Sequence, residues 1–239
     1  MNLLYLETVD STNKYAKEHL SEIKDKTLVF AEIQTAGRGR LSRKWDCIGQ
    51  KNLYASIVLK PSDKMQEVYS NLTQYLCVIL TRVFKEYNVD AQIKWPNDIR
   101  INKKKISGIL AEAVTCSNGL DGIILGFGVN LNCLKDEIEL IDQPATSLNI
   151  EAGMEIDRET FLKRVIKEFC LGYNRFIEEG FLYIREDYKK RAEFLNKFVT
   201  IKVFDKEISG IAVDITENGA LKLVDTNDNE HILLIGDIL

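Results

Sequence analysis

The stretch Gln34-Thr35-Ala36-Gly37-Arg38-Gly39-Arg40-Leu41-Ser42-Arg43-Lys44-Trp45 concentrates more chemistry than any other part of the chain. Arg38, Arg40, Arg43 and Lys44 place four cations within seven residues, with no acid among them. Gly37 and Gly39 allow backbone N–H groups to approach an anion closely. Guanidinium groups clamp a carboxylate or phosphate through paired hydrogen bonds. Trp45 adds a flat face for a base. Together these features suit a nucleotide-like ligand. Taken alone, the loop also fits a solvated basic turn or a nucleic-acid contact, and Trp45 alone fits core packing.

A second cluster lies at Ile93-Lys94-Trp95-Pro96-Asn97-Asp98 and Lys103-Lys104-Lys105-Ile106-Ser107-Gly108-Ile109-Leu110. From Lys94 to Lys105 there are five cations and one acid, Asp98. Lys94 closes an apolar strand and precedes the rigid Trp95-Pro96 pair, which would hold its ammonium in place. Asn97 and Asp98 read as turn formers. The third element is Gly126-Phe127-Gly128-Val129-Asn130. Two glycines inside an apolar strand permit close backbone approach by a ligand or another strand. The third glycine and following helix of a dinucleotide fingerprint are missing, and there is no P-loop sequence.

The elements that must position these residues follow from periodicity and turn chemistry. Leu3–Leu6 reads as an edge strand, and Asp10-Ser11-Thr12-Asn13 caps a short helix ending near Leu20. Leu28–Gln34 and Leu53–Leu59 are predicted strands on either side of a long loop, 36–52. Three- and four-residue spacing of Val68, Leu72, Tyr75, Leu76, Ile79 and Val83 predicts one helix over Met65–Asn88. Short strands follow at Ala91–Lys94, Ile99–Ile101, Ile106–Val114 and Gly122–Asn130. Arg158–Ile177 is a second helix and Phe181–Phe194 a third. Beyond Phe194 come Phe198–Phe204, Gly210–Ile215, Ala220–Val224 and His231–Ile235, short strands that suggest a small barrel, with Asn218-Gly219 a hairpin signal. With no Gly/Ser linker, the barrel is expected to pack directly on the main unit.

The 239 residues are 45% hydrophobic and 28% charged, as in ordinary folded domains. A net charge of −4 and a pI near 5.4 argue against a general nucleic-acid coat, so the cations must act locally. Cys47, Cys77, Cys116, Cys133 and Cys170 are odd in number, and no pair has C-x-x-C spacing. Neither a zinc site nor a disulfide framework is indicated, and reduced thiols in the cytoplasm are expected. The N-terminal MNLLYLETVD has no cationic n-region and no long apolar core, so no signal peptide is expected, and no apolar run approaches a membrane span of about 20 residues.

In order and spacing, Gln34–Arg40, Lys94–Asp98 and Lys105–Leu110 resemble the biotin–protein ligase family. The resemblance runs from Asp10-Ser11-Thr12-Asn13 through Ala145-Thr146-Ser147-Leu148 to the terminal strands. It implies a mixed α/β (α+β) catalytic domain over 1–193, related to class II aminoacyl-tRNA synthetases, and an SH3-like barrel over 194–239. The implied activity uses biotin and ATP with Mg²⁺ to make biotinyl-5′-AMP and pyrophosphate. The biotinyl group then passes to one lysine of a biotin carboxyl carrier domain. The resemblance also implies no membrane association and allows a homodimer.

Position by position, the resemblance makes Ser11, Thr12, Asn13, Gln34, Arg38, Gly39, Arg40, Lys94 and Gly108 biotin-side residues. Arg40, Trp45, Lys94, Lys105 and Asn130 fall on the nucleotide side. Lys94 and Arg40 would act on the reacting centre, and no residue is assigned as a direct metal ligand. Ser42 stands where the family loop usually has a further glycine. Too few residues precede Ser11 for a DNA-reading module, so the monofunctional type without operator binding is expected. Two rivals are a lipoate or octanoate ligase of the same fold and a non-enzymatic nucleic-acid-binding protein. The biotin-type motifs disfavour the first, and the net charge disfavours the second.

Overall fold

A computed structural model describes residues 1–47, 52–62, 64–117 and 119–239. Twelve strands, β1 (Asn2–Val9), β2 (Thr27–Gln34), β3 (Leu53–Leu59), β4 (Gln92–Lys94), β5 (Asp98–Ile101), β6 (Lys104–Cys116), β7 (Gly119–Val129), β8 (Phe198–Val203), β9 (Lys206–Ile215), β10 (Leu221–Asp225), β11 (Glu230–Leu233) and β12 (Asp237–Ile238), form two sheets. Among the described residues seven α-helices accompany them: α1 (Thr12–Glu18), α2 (Met65–Val68), α3 (Leu72–Glu86), α4 (Lys135–Glu139), α5 (Leu148–Ala152), α6 (Arg158–Glu179) and α7 (Arg185–Arg191). Among the described residues no helix is long and apolar enough to cross a membrane.

The large sheet runs β1-β2-β3-β7-β6-β5-β4. β1 and β2 are parallel because α1 carries the chain back between them; every other pair is antiparallel. Strand alternation then sorts the two faces. Ala55, Ile57, Leu59, Leu125, Phe127 and Ile109 point into the main core with α3 and α6. On the opposite face Val29, Val58 and Ile124 meet Ala16, Leu20 and Ile23 in a smaller cluster under α1. This second face is only partly apolar. Its next cross-strand rows hold Ser56, Gly126 and Leu110, then Tyr54, Gly128 and Gly108.

The C-terminal sheet runs β11-β10-β9-β8-β12 and is antiparallel throughout. Ile201, Ala212, Leu221 and Leu223 belong to the same buried cluster as the main core, so the direct packing expected from the missing linker is observed. Polar clamps fix the docking. Gln74 Nε2 donates to the Gly219 carbonyl at 2.9 Å, and Arg185 and Lys189 both bind Asp214.

Three expectations need correction. The predicted helix over Met65–Asn88 is α2 and α3 separated by a 3₁₀ turn at Tyr69–Asn71. Three residues per turn lets the apolar spacing run through such a turn unnoticed. The buried Asn71 amide there donates to Gln74 Oε1 at 2.6 Å and to the Asn218 carbonyl at 3.0 Å. The predicted helix over Phe181–Phe194 is a 3₁₀ turn at Gly180–Tyr183 followed by α7. It stops when Ala192 turns extended and forms a bridge with Ile93. In the C-terminal sheet the turn falls at Phe204 (φ 53°), so β9 begins at Lys206, and β12 is an additional strand.

Candidate active site

The partly polar sheet face forms the floor of the site. Gly128 and Gly108 are cross-strand partners, and the Trp45 indole lies across both. A Cβ on Gly128 would stand 2.5 Å from Trp45 Cε2; one on Gly108 would stand 3.0 Å from Cζ3. One row away, a Cβ on Gly126 would stand 1.9 Å from Asn13 Oδ1. The close approach expected of the strand glycines is therefore made, here by two of the protein's own side chains. Above this floor opens a cavity of about 140 Å³, lined in part by Ser11, Thr12, Gln34, Arg38, Lys94 and Asp237. Its wall carries Arg38, Arg40, Arg43, Lys44, Lys94, Arg100 and Lys105 against two carboxylates, Asp98 and Asp237.

The basic loop is ordered by its own backbone. Arg38 and Lys44 form an antiparallel bridge, Gly39 N donates to the Arg43 carbonyl at 2.8 Å, and Trp45 N donates to the Gly37 carbonyl at 3.1 Å. A 3₁₀ turn at Arg40–Ser42 makes the reversal, with Leu41 in the left-handed region at φ 51°. Residues 48–51 of the predicted loop lie outside the described residues. Arg40 leaves the loop to meet the C-terminal sheet. Its Nη1 donates to Asp237 Oδ1 at 2.8 Å, to Asn97 Oδ1 at 3.2 Å and to the Gly236 carbonyl at 3.2 Å. Arg43 Nη2 takes the other Asp237 oxygen at 2.8 Å.

At the inner end, α1 and β2 converge. Ser11 caps α1, its Oγ accepting from Lys14 N. Thr12 N and Oγ1 lie 2.9 and 3.2 Å from Gln34 Oε1. Ser56 Oγ lies 2.8 Å from Thr12 Oγ1 and 2.6 Å from Asn13 Oδ1, and Asn13 Nδ2 donates to Glu112 Oε2 at 2.8 Å. The structure thus brings Ser11, Thr12, Asn13 and Gln34 together, with the Asn13 amide turned toward protein partners.

Between the two ends sits Lys94, at the close of β4 beside the buried Trp95 and the cis Trp95–Pro96 bond. It is partly buried and has no carboxylate partner among the described residues. Burial pushes its pKa below 10.5, Arg100 and Lys105 push the same way, and Asp98 and Asp237 oppose them. Lys105 instead pairs with Asp98 at 2.8 Å and lies 5.6 Å from the Trp45 ring centroid. Asn97 and Asp98 do more than shape a turn. Asn97 is buried, donating to the Ile109 carbonyl at 2.6 Å while accepting from Arg40.

Arg38, Gly39, Arg40, Trp45, Lys94, Lys105 and Gly108 all line the cavity, with Ser11, Thr12, Asn13 and Gln34. Asn130 does not. It faces a small adjoining pocket past Trp45, shared with Lys105 and Gln143, and its Nδ2 donates to the Thr146 carbonyl at 3.0 Å. Asp237, Asn97, Ser56 and Glu112 are the residues that sequence reasoning missed. No local motif marks Asp237, Ser56 or Glu112, whose side-chain partners lie far away along the chain, and Asn97, although inside the Lys94–Asp98 motif, reads as a turn former because its partners lie on other elements.

Residues 5–130 match the biotin/lipoate A/B protein ligase family, and residues 194–239 match the biotin protein ligase C-terminal domain. The chain belongs to the biotin/lipoate A/B protein ligase family. Among its relatives in this family, the bifunctional ligase/repressor BirA of Escherichia coli (strain K12) is 32% identical over 219 residues, 91% of this chain and 68% of the relative. The biotin–[acetyl-CoA-carboxylase] ligase of Paracoccus denitrificans is 29% identical over 226 residues, 91% and 92% of the two chains. The solved biotin protein ligase from Aquifex aeolicus in complex with biotin and ATP superposes with a TM-score of 0.85 at 27% identity. That match covers 100% of this chain and 97% of the other. The mixed α/β fold and the C-terminal β unit expected from the sequence are those of this family.

Proposed function

We propose that this chain is an ATP-dependent biotin–protein ligase that forms biotinyl-5′-AMP and transfers the biotinyl group to a lysine of a biotin carboxyl carrier domain. The observation that carries this reading is the alignment of three chemistries in one cavity. A hydrogen-bonding head lies at Ser11, Thr12 and Gln34, an ammonium without a carboxylate partner among the described residues at Lys94, and an arginine loop ending in an aromatic face at Trp45. The likeness to a ligase solved with biotin and ATP supports it.

In this reading biotin's fused rings enter the inner end and its carboxylate reaches Lys94. The carboxylate oxygen attacks the α-phosphorus of ATP and pyrophosphate leaves. A neutral carrier-lysine amine then attacks the acyl carbon, loses a proton, and AMP leaves. Both reactants of the first step are anions, so Lys94 lowers their repulsion and stabilises the charge that builds on the phosphoryl oxygens. Its partial burial strengthens that effect, because fixed charges act more strongly where water is scarce. Arg40 and Arg38 cover the adenylate, which keeps water from the anhydride. Trp45 and Lys105 form the nucleotide side.

Mg²⁺ is read as part of the MgATP substrate. No group of three or more His, Cys, Asp or Glu that could hold a metal occurs among the described residues, and Asp98 and Asp237 are already paired with cations. We assign 1–193 to the catalytic unit and 194–239 to the SH3-like unit that delivers Asp237. A reducing cytoplasm suits the five free cysteines. The test is pyrophosphate release by the purified chain with ATP and either biotin or lipoate. Release with biotin alone supports the reading; release with lipoate alone would replace it with the lipoate-ligase alternative.

A further inference from the structure

We infer that Glu112 is a positioning residue that sets the donor–acceptor polarity of the inner end of the cavity. The inference deepens the ligase reading and rests on it. Glu112 lies on β6 in the row beside Leu110, where the partly polar face meets the small apolar cluster. The one hydrogen-bond partner of its side chain among the described residues is Asn13, at 2.8 Å.

Proton counting gives that contact its consequence. Asn13 Nδ2 donates to Glu112 Oε2 at 2.8 Å and, at a longer 3.4 Å, to the Leu110 carbonyl, so the amide turns its NH₂ toward β6 and its carbonyl toward Ser56. Ser56 has one hydroxyl proton and two oxygen neighbours, Asn13 Oδ1 at 2.6 Å and Thr12 Oγ1 at 2.8 Å. Asn13 Oδ1 can only accept, so the Ser56 proton goes there and Thr12 donates its own hydroxyl proton to Ser56. Gln34 Oε1 accepts from Thr12 N at 2.9 Å, which fixes Gln34 Nε2 as a donor; one of its protons points to Cys47 Sγ at 3.4 Å and the other is left for a ligand. Ser11 Oγ accepts from Lys14 N, so its proton is free as well. Ser11 and Gln34 therefore offer donors, and Thr12 Oγ1, its proton committed to Ser56 by the chain of bonds that starts at Glu112, offers a lone pair; this suits a ligand head with both an acceptor and N–H donors. Ser56, Thr12 and Asn13 are all nearly inaccessible, so water does not relax these choices. Gly126 makes the arrangement possible by leaving room for the Asn13 amide.

The test measures pyrophosphate release against biotin and against ATP for the wild type, Glu112→Ala, Glu112→Gln, Ser56→Ala and the double variant. Loss of one hydrogen bond to a charged group predicts a rise in KM for biotin of about tenfold in Glu112→Ala, with KM for ATP unchanged and kcat affected less. Glu112→Gln still offers an acceptor to Asn13 and restores most of the affinity. Glu112→Ala and Ser56→Ala act on one chain of bonds, so the double variant is no worse than the weaker-binding single variant. A biotin KM within about twofold of wild type in Glu112→Ala, equal rises for biotin and ATP, or additive effects would each overturn the inference. An inactive wild type would instead refute the ligase reading itself.

Discussion

Asp237→Ala removes the one carboxylate that binds both Arg40 and Arg43. The Arg40 and Asp237 side chains keep 23% and 13% of their exposure, whereas Arg43 keeps 61%. A charge-assisted hydrogen bond between partly buried partners contributes about 2 kcal/mol. The exposed Arg43 pair contributes under about 1 kcal/mol. Arg40 would keep Asn97 Oδ1 and the Gly236 carbonyl, each at 3.2 Å, so the loss stays near about 2 kcal/mol rather than reaching the sum of the two pairs. At about 1.4 kcal/mol per decade, 2 kcal/mol is about a thirtyfold shift of the loop away from its closed position. If Arg40 retains the adenylate, free biotinyl-5′-AMP should escape about thirty times faster. The assay forms the adenylate from radiolabelled biotin, removes excess substrate by rapid gel filtration, and follows release with time. β12 remains tied to β8 through its pairing with Ile201 and Lys202 and through the bond from Leu239 N to the Thr200 carbonyl, so the melting temperature should move little. Asp237→Asn, which can still accept from Arg40, should fall between wild type and alanine. Release within about twofold of wild type by a folded Asp237→Ala protein would refute the clamp as a retaining device.

Three further outcomes follow from the same geometry. Gly128→Ala forces Trp45 off its seat and should raise KM for ATP several-fold while sparing biotin. Trp45 and the buried Trp95 are the only tryptophans, so its emission should shift to the red, and an unchanged spectrum would count against the seat. Gly126→Ala collides with Asn13 and should do the reverse, raising KM for biotin more than for ATP. For Lys94, a pKa held below 10.5 means that its positive charge disappears at lower pH than that of a free lysine. Adenylation should therefore decline as pH rises before 10.5 is reached, and Lys94→Arg, if active, should move the decline upward. The sign for stability is opposite to that of a paired lysine. The folded state resists protonating Lys94, so Lys94→Met should raise the melting temperature near neutral pH while lowering the adenylation rate. A higher adenylation rate in that variant would contradict the role given to Lys94.

The sequence carried most of the large sheet's framework because its strands are apolar and bounded by turn residues. Lys94, Lys105, Gly108 and the loop at 34–45 were legible for a related reason, since each sits in a local pattern of cations, glycines and a tryptophan. Asn97 looked like a turn former because its buried bonds, to Arg40 and to the Ile109 carbonyl, join segments that only the sheet brings together. Asp237 was hidden for the same reason, lying almost 200 positions from Arg40 in the chain. Asn13 was legible as a cavity residue but not as one whose amide is already committed to Ser56 and Glu112. The break between α2 and α3 escaped notice because periodicity reports which face is buried, not whether a turn has three residues or 3.6.

The central claim is tested most directly by incubating the purified chain with biotin, MgATP and a purified biotin carboxyl carrier domain, then measuring the carrier's intact mass. The account predicts one biotinyl adduct on a single lysine, dependent on ATP and lost in Lys94→Ala. No adduct with biotin, or an adduct formed only when lipoate is supplied, would contradict it.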